Sequence, residues 1–325
     1  MNRPLPDEVD QALAAAMRAP SPHNTQPWWF TVDGNRIALW LDRDRVLPVA
    51  DPDAREARLS CGAALFNLRI SLRVNGREAK VRLLPEPSHP ELLAEIRIDG
   101  NRRSKLDERR LAESIFRRHT NRRPFRDQPV PPGIRSALSA AALAEGGRLE
   151  HLEPSAKYDA VATLARRAEF LQATDEAFRA ESAGWTRRPA GSPDGVPLMS
   201  AAPPAGQAGV VPQRGSHANE QLPPRPYEQQ PLLVGVCTGG QGALADLRGG
   251  MTMQSVLLTA TSLGLATSFV SQPFETAETR AAIEALFRDS GQVHTLLRVG
   301  YGYRTPLTSR RPLTEVVRRG VTQAG

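Results

Sequence analysis

The 325-residue sequence predicts an α+β fold made of two degenerate halves. Three observations carry the prediction. Apolar residues at helical spacing alternate with short strand-like runs along most of the chain, the pattern of helices interleaved with strands. The length corresponds to roughly two domain-sized units at about 150 residues each. A shift of 188 residues also lays one segment on another: Gly62 falls on Gly250, Gly76 on Gly264, and Leu65, Leu68 and Leu72 on Met253, Val256 and Ala260. Each of these helices leads into an apolar strand, through Val81 and through Phe269. The match is one of pattern, and the shared order of elements argues for a duplication. The halves are expected at residues 1–110 and 111–325, packed about a pseudo-twofold axis as homodimer subunits would be.

In chain order, Val9 to Arg18 reads as a helix, broken by the two prolines of Ala19-Pro20-Ser21-Pro22. Trp28 to Val32 and Ile37 to Leu41 read as a hairpin around Asp33-Gly34-Asn35. Residues 55–75 form a helix, because Leu65, Leu68 and Leu72 share a face. Lys80 to Leu84 is a strand, His89 to Ile98 a further helix and strand, and Asp107 to Arg118 a helix. Helices follow at Gly133 to Ala144 and Ala156 to Ala183, with a short strand from Leu149 to Leu152 between them. Residues 184–231 hold 10 of the 28 prolines and six glycines, too long and irregular for an ordinary connection. This stretch is either a floppy insertion or a lid. Beyond it come strands at Leu232 to Cys237, Ala266 to Ser271 and Thr295 to Tyr301, and helices at Gly250 to Leu263 and Thr276 to Arg288.

Composition excludes several classes. With 40 % hydrophobic and 24 % charged residues the chain is globular. No run of about 18 apolar residues is present, so no membrane partner is expected. Two cysteines imply neither a disulfide framework nor a zinc cluster, and the N-terminus has no signal-peptide core, which makes the cytoplasm the default. The six histidines never fall at metal-ligand spacing. Lys and Arg number 42 against 35 acids, a net +7, and only Lys80, Lys105 and Lys157 are lysines. The arginine excess reads either as a GC-rich coding bias or as a demand for phosphate or carboxylate forks. No nucleic-acid partner is expected: the arginines come in short pairs mixed with acids, and aromatics are 5 %. Gly240-Gln241-Gly242 imitates a dinucleotide loop, but the acid that should follow on the next strand is missing. Cys61 opens a helix among Leu, Ala and Gly, the setting of a packed small residue.

Two motifs point to chemistry. Pro20-Ser21-Pro22-His23-Asn24-Thr25-Gln26-Pro27-Trp28 is a proline-stiffened loop that offers fixed hydroxyl and amide groups to a flat polar ligand. Arg117-Arg118-His119-Thr120-Asn121-Arg122-Arg123 offers a phosphate cradle, and Arg310-Arg311 adds a basic pair near the C-terminus. Taken alone, each Arg pair also reads as a solvated surface.

Together these segments resemble the nitroreductase superfamily of FMN-dependent oxidoreductases. Residues 20–28 are similar, almost letter for letter, to the family's Pro-Ser-x-x-Asn-x-Gln-Pro-Trp stretch at the flavin ring. Arg118-His119-Thr120-Asn121-Arg122 resembles its phosphate-binding stretch, with Thr in place of Ser. Gly264-Leu265 leads into Ser271-Gln272-Pro273 as the family's Gly-Leu strand leads to the flavin's redox face. Arg310-Arg311 resembles its C-terminal basic pair. The resemblance implies α/β/α layers around a central mixed sheet. In the ordinary family one subunit carries both motifs, the Arg stretch first, and a homodimer makes two sites. Here the Ser/Asn/Gln loop lies in the first half and the Arg stretch opens the second. Where the second half should have its own Pro-Ser loop it has Glu145-Gly146-Gly147-Arg148. The layout looks like the Acg-type branch, a fused pair with one composite site.

What the resemblance implies is one FMN per chain, NAD(P)H as co-substrate and no catalytic side chain, since the flavin N5 carries the hydride. Arg118, Thr120, Arg122, Arg310 and Arg311 would hold the phosphate, with His119 in the same stretch. Pro20, Ser21, His23, Asn24 and Gln26 would hold the ring and ribityl chain, and Ser271, Gln272 and Pro273 would lie by the redox face. The acceptor would be a nitroaromatic, a quinone or a similar flat oxidant. The alternative is a catalytically quiet protein that stores or sequesters FMN under the 184–231 segment, since the Acg-type branch includes members with an occluded flavin. A monomeric pseudo-dimer or a weak homodimer is expected.

Overall fold

The computed structural model describes residues 6–186, 188–189, 191–197, 205–207, 225–228, 231–303 and 305–319. Much of the expected 184–231 lid or insertion therefore lies outside the described residues.

Helix α1 (Pro6–Ala16) precedes the hairpin β1 (Trp28–Asp33) and β2 (Arg36–Leu41), then α2 (Arg55–Val74), β3 (Arg77–Leu83), β4 (Leu92–Asn101) and α3 (Leu106–Ile115). There follow α4 (Pro132–Leu143), β5 (Gly147–Leu152), α5 (Ala156–Thr174), α6 (Glu176–Thr186), and the short pair β6 (Ala205–Gln207) and β7 (Arg225–Pro226). The chain continues through β8 (Leu232–Thr238), α7 (Gly242–Ser262), β9 (Ala266–Val270), α8 (Ala277–Leu286), β10 (Gln292–Gly300), α9 (Leu313–Val316) and β11 (Val317–Arg319). Two larger sheets result. A five-stranded mixed sheet has the order β11-β1-β2-β4-β3, with β11 parallel to β1 and the other pairs antiparallel. A four-stranded antiparallel sheet has the order β5-β8-β10-β9. Three residues near the C-terminus thus join a sheet otherwise built from residues 28–101, with Phe30 opposite Val317.

Helices α2 and α7 form the centre. Leu65, Leu68 and Leu72 of α2 are fully buried, and so are Val256 and Ala260 of α7. One continuous apolar core contains both helices together with strands from both sheets. The helices touch backbone to backbone. A Cβ on Gly62 would overlap the carbonyl oxygen of Leu247, and a Cβ on Gly250 would overlap that of Leu59. The 188-residue shift maps Gly62 to Gly250 and also Leu59 to Leu247. It maps Arg58 to Asp246 as well, which meet across the same contact at 2.8 Å. At the start of α2, Asp51 accepts hydrogen bonds from the Glu56 and Ala57 N–H groups, satisfying donors the helix leaves open.

Three elements differ from the sequence expectation. The helix expected over 156–183 is two helices, because Asp175 is extended (ψ 115°) and its Oδ1 accepts from the Phe178 N–H as an N-cap. The helix expected from Gly250 starts at Gly242, so Gly249-Gly250 lies inside α7 as a contact surface. No helix precedes β4; residues 86–89 make a turn closed by His89 N–H to the Glu86 carbonyl.

His294 on β10 is enclosed at the same junction, with Thr238 Oγ1 2.7 Å from Nε2 and Asp246 3.6 Å from Nδ1. Burial holds its pKa below the ordinary value, and the nearby Arg55 acts in the same direction. Folding therefore favours the neutral ring. The stability it gives is full above its unfolded value of about 6.5 and is lost as pH falls through the lowered one. Asp51 acts oppositely: burial raises it to about 6, so its contribution declines as pH rises through that value. Unfolding midpoints at about pH 7.5 and pH 5 should drop further on acidification for the native chain than for a His294→Gln variant. Equal drops would show that His294 is not the linked group.

Candidate functional site

The loop between α1 and β1 is held in an uncommon conformation. His23, Asn24 and Gln26 have φ of 46°, 58° and 53°, the left-handed region that non-glycine residues seldom occupy. Such strain persists only where the surroundings fix it, and here they do. Ser21 Oγ accepts from the Gln26 N–H at 2.9 Å, and Arg45 Nε donates to the Thr25 carbonyl at 2.6 Å. Trp28 is fully buried, and its Nε1 contacts Met17 Sδ.

The loop forms one wall of a cavity of about 120 Å³. Pro20, Ser21 and His23 line it from the N-terminal part of the chain, with Glu56, Leu59 and Ser60 of α2. Thr120, Arg122, Ser271 and Gln272 line it from the C-terminal part. Thr120 is set there by a bridge to Thr267, reinforced by Asn121 N–H to the Thr267 carbonyl. Gln272 is buried, and its Nε2 has no hydrogen-bond partner among the described residues.

Beside this cavity three guanidinium groups meet. Arg310 donates to the carbonyls of Met17, Arg18 and Ala19 at the end of α1. Arg118 is 3 % exposed; its Nη2 reaches the Arg18 carbonyl at 3.4 Å, while its Nε and Nη1 have no partner among the described residues. Arg18 Nε is likewise buried and has no partner among the described residues. Burial, then the charge of Arg18, pulls Arg118 down to about 10. Burial, then Arg118 and Arg18, pulls Arg310 well below the ordinary value. Among the described residues no carboxylate offsets this charge. Three clustered cations, with open N–H donors on Arg18 and Arg118 and the Arg310 nitrogens engaged by backbone carbonyls, suit a phosphate-like dianion.

The other sequence-predicted residues lie around this site. Asn24 Nδ2 donates to the carbonyls of Gly195 and Ser309, and Gln26 Nε2 to that of Pro193 at 2.9 Å. Gln26 Oε1 accepts from the Arg311 N–H. These two amides tie distant segments to the loop. The Arg311 guanidinium turns to Glu315 and Asp42, away from the three-arginine cluster. His119 contacts the Arg117 carbonyl and does not line the cavity, and neither does Pro273, which is buried. The described part of the 184–231 segment reaches the site: Thr186 and Val196 line the cavity. Asp194 pairs with Arg45 and Arg188, which flank the Trp185 ring at 5.5 and 5.1 Å.

No family model matches the chain. Curated relatives do. The chain is 36 % identical over 327 residues, covering 98 % of itself and 93 % of the relative, to the Mycobacterium tuberculosis protein named "Putative NAD(P)H nitroreductase Rv3131". The chain belongs to the nitroreductase family. A second M. tuberculosis family member, named "Putative NAD(P)H nitroreductase acg", is 31 % identical over 317 residues and covers 95 % of each chain. A remoter likeness is to a solved nitroreductase with bound FMN from Desulfitobacterium hafniense. It has a TM-score of 0.40 and 14 % identity, over 64 % of this chain and 96 % of that one.

For this nitroreductase-family chain, sequence reasoning missed Arg18, Glu56, Ser60 and Glu275. Arg18 carried a faint signal, a cation two residues ahead of the Pro20 loop. Glu56 and Ser60 sit at helical i, i+4 spacing, so the face of α2 turned to the cavity would have selected both. Among the described residues, no helix is long and apolar enough to cross a membrane and no cluster of ligating side chains suits a metal.

Proposed function

We propose that the chain binds one FMN and works as a nitroreductase-type oxidoreductase, passing hydride equivalents from NAD(P)H to a nitroaromatic, quinone or similar flat oxidant. The observation that carries this reading is the Arg18–Arg118–Arg310 cluster. Its buried, unpartnered N–H groups fit a phosphate dianion, and Arg118 is only two residues from Thr120 on the cavity wall. When bound, FMN supplies the two-electron chemistry. The three arginines hold its phosphate, with Thr120 and Arg122 beside them. Ser21, His23 and Gln272 face the remaining space, and the unpartnered Gln272 Nε2 offers a hydrogen bond there. Asn24, Gln26 and Arg311 act one step back, fixing the walls. Thr186 and Val196 exclude water.

The reading includes a composite site shared by two degenerate halves, 1–110 and 111–325, acting as a monomeric pseudo-dimer. The reciprocal contacts of Gly62 with Leu247 and Gly250 with Leu59 support it, because paired contacts of this kind are the signature of a twofold relation.

Purified protein reconstituted with FMN should carry the yellow flavin absorbance at one equivalent per chain. Anaerobic mixing with NADPH or NADH should bleach it within seconds. Two equivalents per chain would contradict the composite site, and no binding would remove the whole reading.

A second reading is sequestration of FMN. The ties from Asn24 to Gly195 and from Gln26 to Pro193 favour it, since they hold residues 193–196 against the cavity. FMN that stays oxidised for minutes under NADPH and NADH would select this reading.

A further inference from the structure

We propose that Glu275 is a proton conduit from solvent to the oxidant in the cavity; the proposal rests on the oxidoreductase reading above. Glu275 follows the 272–274 turn just ahead of α8 and is 9 % exposed. It lines two hollows at once. One is the cavity, which it shares with Ser271, Gln272 and Thr295. The other is an open groove walled by Gln172, Asp175, Phe178, Thr276 and Glu278. Of the described residues lining the two hollows, only Glu275 belongs to both. Its carboxylate is fixed between them: Gln172 Nε2 donates to Glu275 Oε2 at 3.0 Å and to the Gln272 carbonyl at 3.1 Å. His23 and Glu56 also line the cavity, but neither reaches the groove.

The chemistry gives such a route a use. Reduction of a quinone consumes one hydride equivalent and one proton. The hydride equivalent comes from NAD(P)H by the proposed activity. Glu275, shared by the cavity wall and the groove, offers the proton a path through that wall. The Glu275 carboxylate takes a proton from the solvent in the groove, and the O–H bond so formed breaks as an O–H bond forms on the quinone oxygen. The sum is NAD(P)H plus H⁺ plus quinone giving NAD(P)⁺ and hydroquinone, with Glu275 returned to its starting state.

Two arms test this. In the first, native and Glu275→Gln chains are loaded with FMN, reduced with NADPH and mixed with either a quinone or ferricyanide, which takes single electrons and no proton. FMN binding, reduction by NADPH and oxidation by ferricyanide should be unchanged. Oxidation by the quinone should slow by roughly a hundredfold, within the usual range for a lost general acid. Equal slowing with both oxidants, or none with the quinone, overturns the conduit. In the second arm a Glu275→Cys chain meets a small charged thiol reagent, with and without FMN. Cys61 and Cys237 do not interfere, since both are buried and their thiols are pushed up by burial. Labelling at comparable rates in both states supports access from the groove. Labelling abolished by FMN shows access only through the cavity and overturns the proposal. Failure of the parent reading looks different: the native chain itself would not bind FMN or would not be reduced.

Discussion

Replacing Arg118 by alanine is expected to weaken FMN binding by roughly two orders of magnitude. A charge-assisted hydrogen bond to phosphate is worth about 2–3 kcal/mol, and every 1.4 kcal/mol is about tenfold. The same change should leave the melting temperature of the ligand-free chain nearly unchanged. Arg118 is buried beside Arg18 with two unpartnered nitrogens, so the folded state bears an uncompensated cation whose removal offsets the lost packing. Arg311→Ala is the contrast. Its guanidinium faces Asp42 and Glu315, so its loss should weaken FMN by less than about tenfold. FMN fluorescence titrations and melting curves with and without FMN read all of this. Equal losses for the two variants would place the phosphate elsewhere.

The second large effect is expected at the helix crossing. In Gly250→Ala the new methyl group overlaps the Leu59 carbonyl oxygen, which is backbone and cannot turn aside. The helices must separate along a contact buried on both sides, at a cost of ~3 kcal/mol and a fall in Tm on the order of 5–10 °C. Gly62→Ala should behave alike, because its methyl group meets Leu247 in the same way. Gly239→Ala is the control: it has open space around its Cβ, and its melting point should not move. FMN retention should fall with Tm in both crossing variants, because the cavity is lined from α2 and from α7. A crossing variant as stable as the control would contradict the geometry of that contact.

Much of this was legible in the sequence where local signals and tertiary structure agree. Leu65, Leu68 and Leu72 mark α2 by period alone, and the prolines around Ser21 mark a rigid loop that the structure uses as a wall. The misses share a cause. Gly249-Gly250 looks like a helix boundary because glycine weakens isolated helices, yet in α7 it serves close approach to His294 and to α2. Asp175 reads as one more polar residue in a long amphipathic run until its side chain caps the next helix. The two halves of the Arg310-Arg311 pair have opposite surroundings, cations for one and carboxylates for the other, and adjacency in sequence cannot tell them apart. Arg18 becomes meaningful only once residue 310 lies against it. Strand β11 is three residues long, shorter than any periodicity could reveal.

The pairing of β11 with β1, and of Arg310 with the end of α1, has a consequence for how the protein is made. Ribosomes deliver a chain N-terminus first, at about 5–20 residues per second. The loop at 20–26 therefore emerges early and waits, without the cation proposed to complete the phosphate site, until nearly 300 residues later in the chain are synthesised. Closing so long a loop is entropically slow but only modestly costly. A nascent chain should thus hold no flavin, and loading becomes a late event that reports completed synthesis. A chain interrupted before residue 310 would be not merely shorter but colourless.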